Sequence, residues 1–174
     1  GIINKLRSNL PDCPFPIRYT SLTAFNARYR QGRITATGSL VYTNVTEHVK
    51  IGDAPADFQR LAPSFTVSLQ PWQEQLLFLR LMYKSTFRMP TFNDLYYYRL
   101  GNRSLRPEKA NEYNMGITWS RSFSSFLNYL SVTVDGYYND VTDKIVAFPT
   151  TYAWKMANYG KVHVTGMDAT LAAA

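Results

Sequence analysis

The sequence predicts an all-β fold: an antiparallel up-and-down meander of about seven strands that is part of a larger transmembrane β-barrel. Two observations predict this fold. Segments with an apolar residue at every second position follow one another along the chain, and the connections between them alternate between short and long. Successive connections of an antiparallel meander lie at opposite ends of the sheet. Short turns at one end and long loops at the other are typical of outer-membrane barrels.

The predicted strand over residues 74–87 shows the alternation most clearly. Leu77, Leu79 and Leu81 share one parity. Arg80 and Lys84 share the other. A period of two is expected of a strand with one apolar face. The other predicted strands are residues 19–30, 33–43, 58–70, 108–120, 129–141 and a less regular last strand from Met156 onward.

The last predicted strand changes parity along its length. Val162 and Val164 share one face. Met167 and Leu171 have the opposite parity. One extra residue in a strand moves all later side chains to the other face, so we expect a β-bulge near Gly166.

The connections between these strands fall into two classes. Short turns are predicted at Gln31-Gly32, at residues 71–73 and around residues 121–126, and long connections at residues 44–57, 88–107 and 142–155. In a meander every second connection shares an end of the sheet. We therefore expect the three long connections to lie together, opposite the short turns.

Aromatic residues of the apolar parity form two groups. Those beside the short turns are Tyr29, Trp72 and Trp119, and those toward the long loops are Tyr42, Tyr83, Phe87, Tyr113 and Tyr138. Two such girdles are expected at the two interfaces of a membrane. A soluble β-sandwich also alternates, but it explains neither the girdles nor the one-sided loop lengths. It would also bury charged residues of the polar parity at high cost, namely Arg28, Arg80, Lys84, Glu112 and Asp135.

Composition excludes several classes of function. The net charge of +7 is compatible with an anionic partner such as lipopolysaccharide phosphate, but the basic residues form no single run and no nucleic-acid recognition motif accompanies them. The single cysteine, Cys13, cannot form an internal disulfide. His48 and His163 are far apart and lack neighbours at metal-ligand spacing. We therefore predict no enzyme activity, no catalytic residues, no metal site, no cofactor and no nucleic-acid partner.

Phrases in the second half of the chain resemble a known family. They are FRMPTFNDLY at 87–96, GNRSLRPE at 101–108, Glu112-Tyr113 with Gly116, YYNDVTDKI at 137–145, and NYGK at 158–161 with GMD at 166–168. In this order they resemble the barrel of TonB-dependent outer-membrane receptors. The departures are mild: Arg103-Ser104 stands where the family often has Asn-Pro, Arg106 replaces a usual lysine, and Asp168 replaces a usual glutamate.

The resemblance implies a barrel of about twenty-two strands, of which residues 1–174 would form a partial domain without the plug and the closing C-terminal strand. It also implies a location in the outer membrane of a Gram-negative bacterium, with membrane lipid and lipopolysaccharide as neighbours. The whole protein would take up a scarce extracellular nutrient, such as a siderophore or other metal chelate, cobalamin or a glycan. The TonB complex would supply the energy through the missing plug. A passive pore or structural barrel is the alternative, and a soluble β-sandwich binding module is a third reading.

Aromatic and basic residues in two long connections are the candidate ligand contacts, because tyrosine offers a large contact area at low entropic cost and loops often carry function. They are Phe92, Tyr96, Tyr97, Tyr98 and Arg99 in the first connection and Tyr152 and Trp154 in the second. The alternative is that these side chains only pack the loops on their neighbours. Glu108, which follows Pro107 at a strand start, is predicted to be a structural hydrogen-bonding residue.

Overall fold

The computed structural model describes residues 1–7, 13–72, 76–123 and 129–173. Within these ranges eight strands form one antiparallel sheet in sequence order, with one short helix. The elements are β1 Ile2–Lys5, β2 Ile17–Gln31, β3 Ile34–His48, β4 Phe58–Leu69, β5 Leu76–Arg88, α1 Phe92–Tyr96, β6 Glu108–Ser122, β7 Tyr129–Pro149 and β8 Trp154–Ala173.

This architecture confirms the predicted up-and-down meander. Every strand pairs only with its neighbours in sequence, and β1 and β8 are the two edges of an open sheet. Strand β1, which pairs with the start of β2, is the additional strand that the sequence did not predict. Its four residues, IINK, are too few to show an alternating pattern.

Two of the three predicted long connections are shorter than expected. Strand β3 extends to His48, and β7 and β8 continue as a paired hairpin to Pro149 and Trp154. The turn of that hairpin is closed by a hydrogen bond from Thr150 N to Ala153 O of 2.7 Å. The prediction of a loop over residues 142–155 and of a strand start at Met156 was therefore wrong. Backbone pairing continues where the apolar alternation ends, since ladder hydrogen bonds do not require an apolar face.

At the opposite end the short turns are where the sequence placed them, as far as they are described. Gly32 has a φ of +53° in the tight turn between β2 and β3, a conformation that favours glycine. Arg33 and Pro71 bring two turns together through a hydrogen bond from Arg33 Nη1 to Pro71 O of 2.9 Å. The predicted turn positions 73 and 124–126 lie outside the described residues.

The predicted β-bulge in the last strand is absent. The β7–β8 pairing keeps one register from Leu130↔Ala173 through Tyr138↔Thr165 to Thr142↔Lys161. Gly166 is instead covered by the ring of Tyr137, because a Cβ at residue 166 would lie 2.2 Å from that ring. The change of parity arises because Val162 and Val164 belong to the polar-parity face.

The two faces of the sheet differ as the parity predicted. On the apolar face Leu81 and Met115 are exposed, whereas Leu77 and Leu79 are half-buried. On the other face Arg80 Nη2 lies 3.0 Å from Asp135 Oδ1. The sheet is a single layer, and within the described residues the buried apolar side chains lie at the long-loop end, namely Val45, Leu95, Leu105 and Ile145.

The polar-parity face is the concave one. The segment between β5 and β6 folds over this face, where Tyr96 hydrogen-bonds Glu47 of β3 and Leu95 packs with Ile145 of β7. Strands β3 and β7 are four positions apart in the sheet, which would be roughly 19 Å in a flat sheet. Because one short segment contacts both strands, the sheet curls around it. Arg80 therefore lies on the inner face.

Candidate functional site

The segment of residues 89–107, called here the inner loop, begins and ends at one paired position. It leaves β5 after Arg88 and enters β6 at Glu108, and these two residues are register partners. Arg88 Nη2 lies 3.3 Å from Glu108 Oε2, and its Nη1 lies 3.7 Å from Asp94 Oδ2. Thr91 and Asp94 cap the start of α1 through reciprocal side chain to backbone hydrogen bonds. The family-like motif at residues 87–96 therefore helps to hold the two ends of the inner loop together.

The second phrase folds the loop back on the helix. Gly101 N donates to Tyr97 O at 2.8 Å, and a Cβ at residue 101 would lie 2.6 Å from Leu95 O. Asn102 N donates to Asp94 O at 2.9 Å, and Asn102 Nδ2 donates to Met156 O at 3.0 Å. Only glycine permits the close approach at residue 101. The two hydrogen bonds of Asn102 tie the loop both to α1 and to β8.

The end of the inner loop is docked on the β7–β8 hairpin. Asn158 accepts from Arg106 N and donates to Arg106 O, both at 2.8 Å, and Arg106 Nη2 lies 2.6 Å from Asp143 Oδ1. Glu108 Oε2 also accepts from Ile145 N at 3.3 Å. These contacts give Glu108 the structural hydrogen-bonding role that the sequence predicted.

The opposite side of the loop is anchored by a buried ion pair on the inner face. Arg18 Nε donates to Glu47 Oε2 at 2.7 Å, with side chains 10% and 4% exposed, and the Tyr96 hydroxyl donates to Glu47 Oε1. Burial is the larger cause, and the Glu47 carboxylate the smaller, that raises the pKa of Tyr96 well above its usual value. The phenol therefore remains protonated and acts as a donor. Arg18 Cζ lies 5.0 Å from the centre of the Phe92 ring.

A cavity of about 240 Å³ lies between the inner loop and strands β2 to β4. Its wall is mainly apolar, and its charged lining residues are Arg18, Glu47, Asp57, Arg103 and Arg106. Arg103 Cζ lies 5.3 Å from the centre of the Tyr96 ring, and its Nη1 donates to the Ile51 carbonyl at 3.4 Å. The other lining residues are Val45, Pro55, Ala56, Phe58, Met89, Pro90, Leu95, Ser104, Leu105 and Pro107.

The seven candidate ligand contacts separate into two groups. Phe92 and Tyr96 turn inward and pack against β2 and β3, which agrees with the packing alternative for these two residues. The other five are exposed at the surface: Tyr97, Tyr98, Arg99, Tyr152 and Trp154. Tyr152 is 97% exposed, so its side chain is not used to pack the loop. Ligand contact by the exposed group stays a prediction.

The exposed residues lie at one end of the sheet, as predicted. A hydrogen bond from Met156 N to Leu100 O of 3.0 Å joins the inner loop to the beginning of β8. Arg99 is next to Leu100 in sequence, and Trp154 is two residues before Met156. The hydrogen bond therefore places Arg99 and Trp154 on adjacent parts of the surface. We call Tyr97, Tyr98, Arg99, Tyr152 and Trp154 the exposed rim.

Sequence reasoning missed the anchoring residues Arg18, Glu47 and Arg103. A signal for the first two was present, because extending the register of the hairpin around Gly32 pairs Arg18 with Glu47. Ending the predicted strand at residue 43 hid this pairing. Arg103 lies in an irregular segment, where no periodicity indicates which way a side chain points.

Comparisons with known proteins give matches of different extent. Residues 8–174 match the family model for the β-barrel of TonB-dependent receptor-like proteins. A segment of 84 residues is 32% identical to the vitamin B12 transporter BtuB of Vibrio vulnificus (strain YJ016), covering 47% of this chain and 13% of the transporter. The fold is similar to a double mutant of the Serratia marcescens hemophore receptor HasR, solved with its hemophore HasA and heme. That match has a TM-score of 0.77 and 17% identity, and it covers 92% of this chain and 32% of the receptor.

Two of these matches bear on the class of function as well as on the fold. The family is one of receptors, and the relative that matches part of the chain is a transporter, in agreement with the prediction of no enzyme activity. The described ranges contain no helix of the length and apolar character needed to cross a membrane. They also contain no group of three or more histidine, cysteine or acidic side chains placed to hold a metal ion.

Proposed function

Because the chain belongs to the TonB-dependent receptor family, as part of its β-barrel, we propose that the whole protein takes up a scarce nutrient across the outer membrane of a Gram-negative bacterium. In this proposal the TonB complex supplies the energy through a plug domain, and the region described here supplies part of the barrel wall and part of the ligand-binding mouth.

The observation that carries the binding role is the contrast between the two sides of the inner loop. One side is fixed to the inner face by the Tyr96–Glu47 hydrogen bond and to the hairpin by Arg106 and Asn158. The other side presents aromatic and basic side chains to the outside. Exposed aromatic rings on a fixed backbone offer contact area without the entropic cost of ordering a loop during binding.

The chemistry of this rim supports several nutrient classes. Tyrosine and tryptophan rings stack on flat or apolar ligand surfaces, and Arg99 supplies a cation for a ligand carboxylate or phosphate. A metal chelate, cobalamin or a glycan all offer such groups. Cobalamin is the first ligand to test, because a relative that matches part of the chain is a vitamin B12 transporter.

The experiment replaces Tyr97 and Trp154 by alanine in the full-length receptor and measures nutrient binding and uptake by whole cells. We expect weaker binding of the nutrient and normal insertion of the barrel. Insertion is monitored by the heat-modifiable migration of the barrel in gels. A matched control replaces Tyr29 and Trp72, which lie near the opposite end of the sheet, by alanine. Unchanged affinity in the rim variant, or an equal loss in the control, would remove the binding role from the rim.

The inner loop also favours active uptake over a passive pore. Its residues occupy the concave side of the sheet, where Leu95, Leu105 and Ile145 form a packed cluster. A pore is expected to keep its lumen open to water. Uptake that continues after collapse of the proton-motive force would support the pore instead.

A further inference from the structure

The sheet splits between β4 and β5 at the long-loop end. Each of these strands pairs with its other neighbour along its whole length. The register between β4 and β5 themselves ends at Ser64↔Lys84. The next residue of β4 toward the long loops is Pro63, which has no backbone N–H to donate to a ladder. Beyond this point side chains bridge the two strands, as in the hydrogen bond from Arg60 Nη2 to Ser85 Oγ of 3.0 Å.

The cavity of about 240 Å³ under the inner loop lies at this split. Phe58 at the start of β4 and Met89 and Pro90 after the end of β5 all line it. Its buried lining side chains are mainly apolar and form its base. The exposed lining residues form its mouth, namely Ala56, Asp57, Ser104 and Arg106. The cavity is therefore an apolar pocket with a polar opening, and it reaches from the split in the sheet to the inner loop.

Two arginine side chains that line the cavity have unused hydrogen-bond donors. Arg103 is half-buried, and its Nη1 donates to the carbonyls of Ile51 and Asp53 at 3.4 and 3.5 Å, near the long limit of a hydrogen bond. No ion pair between described residues includes Arg103. Arg18 is only 8% exposed, and its Nη2 is buried without an acceptor among the described residues. A charged donor that is buried without an acceptor is costly, so both guanidinium groups favour an anionic occupant.

The acidic groups around the cavity do not use these donors. Both oxygens of Glu47 already accept hydrogen bonds on the inner face. Arg106, at the mouth, is paired with Asp143. Asp57 is exposed, so water and salt screen its carboxylate. Among the described lining residues, the positive charge of Arg103 is therefore left without a paired acid.

We propose that this cavity is a binding site for a small monocarboxylate with an apolar body. The carboxylate lies at Arg103 and Arg18, because a guanidinium group matches the planar geometry of a carboxylate. The apolar body packs on Val45, Leu95 and Leu105 at the base of the cavity. This apolar base favours a carboxylate with a hydrocarbon body over an inorganic anion.

The size and position of the cavity narrow the proposal further. Its volume of about 240 Å³ is below the roughly 300–1,000 Å³ of sites for drug-sized ligands, so the occupant is small. None of its lining residues belongs to the exposed rim. The carboxylate site is therefore additional to the nutrient-binding rim and does not depend on the proposed function.

The test uses the full-length receptor in a neutral detergent, with benzoate as the probe and benzamide as an uncharged molecule of almost the same shape. Saturation-transfer NMR titrations measure the affinity of both molecules. We expect benzoate to bind roughly tenfold or more tightly than benzamide, because hydrogen bonds between charged groups are the stronger ones. Saturating benzoate should also slow hydrogen exchange of the inner-loop amides, because the ligand contacts the loop at Leu95 and Leu105.

Two variants remove the site in different ways. Arg103→Gln removes the partner of the carboxylate and should weaken benzoate binding roughly tenfold or more. Ala56→Trp blocks the mouth and should abolish benzoate binding, while it keeps every charge and the packing of Arg103 on the Tyr96 ring. The matched control is Arg99→Gln, which removes the same charge from the exposed rim and should bind benzoate like the wild type.

The outcomes that contradict the carboxylate site are distinct from those that contradict the nutrient-binding rim. Unchanged benzoate binding in R103Q or in A56W, an equal loss in R99Q, or equal affinities for benzoate and benzamide would each overturn the proposal. Displacement of benzoate by an equal concentration of inorganic phosphate would point to a general anion site and would also overturn it. Nutrient binding, measured on the same wild-type samples, tests the proposed function independently.

Discussion

Replacing Tyr96 with phenylalanine tests how the inner loop is held on the concave face. The substitution removes the hydrogen bond from the Tyr96 hydroxyl to Glu47 and leaves the ring in place. The Glu47 side chain is only 4% exposed, so water does not readily replace the lost donor. Hydrogen bonds to a charged group contribute about 1.5–3 kcal/mol. The docked state of the loop should be destabilised by that amount.

Hydrogen exchange of the full-length receptor measures this change directly. Amides of the inner loop that exchange through local undocking should exchange roughly ten- to a hundredfold faster in Y96F, since 1.4 kcal/mol corresponds to a factor of about ten. Amides in the paired centre of β5 and β6 should be unaffected. The matched control is Y97F, because Tyr97 is 54% exposed. Exchange within about twofold of the wild type in Y96F, or an equal increase in Y97F, would refute the anchoring role.

The same hydrogen bond predicts a pH dependence of loop docking. The pKa of Tyr96 is raised in the docked state above its usual value of 10.0, first by burial and then by Glu47. A group whose pKa is raised contributes its full stabilisation below the undocked pKa, and the contribution is lost as the pH rises through the docked pKa. Loop protection attributable to Tyr96 should therefore be constant from pH 7 to about 9 and decrease above about pH 10. In Y96F this alkaline decrease should be absent.

Two further substitutions test the fold around the site. Gly101→Ala should undock the inner loop, because the added Cβ would lie 2.6 Å from Leu95 O, and limited proteolysis should then cut the loop while leaving the barrel intact. Leu81→Arg should destabilise the inserted barrel by about 2–4 kcal/mol in urea titrations in lipid vesicles, because it puts a cation on the lipid face. Thr170→Arg, on the inner face opposite Thr133, should have little effect, and equal destabilisation by both would show that the faces are assigned incorrectly.

The sequence predicted the sheet well wherever the membrane imposes a pattern. The alternation in β5 identified the inner and outer faces, because lipid on one side and a polar lumen on the other require a period of two. Beyond the row of Tyr83, Tyr113 and Tyr138, toward the long loops, this requirement ends. The extension of β3 to His48 was missed because its side chains are mostly polar, as in loops. The extension of β7 to Pro149 was missed because the apolar run IVAF at 145–148 does not alternate. The bulge near Gly166 was inferred from Val162 and Val164, which occupy the inner face without being charged.

The candidate site was predicted less completely, for a different physical reason. The inner loop has no period, so the sequence could not indicate that Phe92 and Tyr96 point inward and Tyr97 outward. Its two family-like phrases proved informative about structure, since they contain the capping residues, the close approach at Gly101 and the docking contacts. The anchoring pair of Arg18 and Glu47 could have been found by extending the register of one hairpin.

The ion pair between Arg80 and Asp135 joins β5 and β7 across a strand that contributes no side chain at that row. Gly116 of β6 lies between them, and a Cβ there would lie 2.2 Å from Asp135 Oδ1. In evolution these three positions are expected to change together, because any larger residue at 116 displaces one partner of the pair. An alignment of relatives would then show covariation between strands that share no backbone hydrogen bonds, and a contact map that treated this covariation as strand pairing would place β5 beside β7.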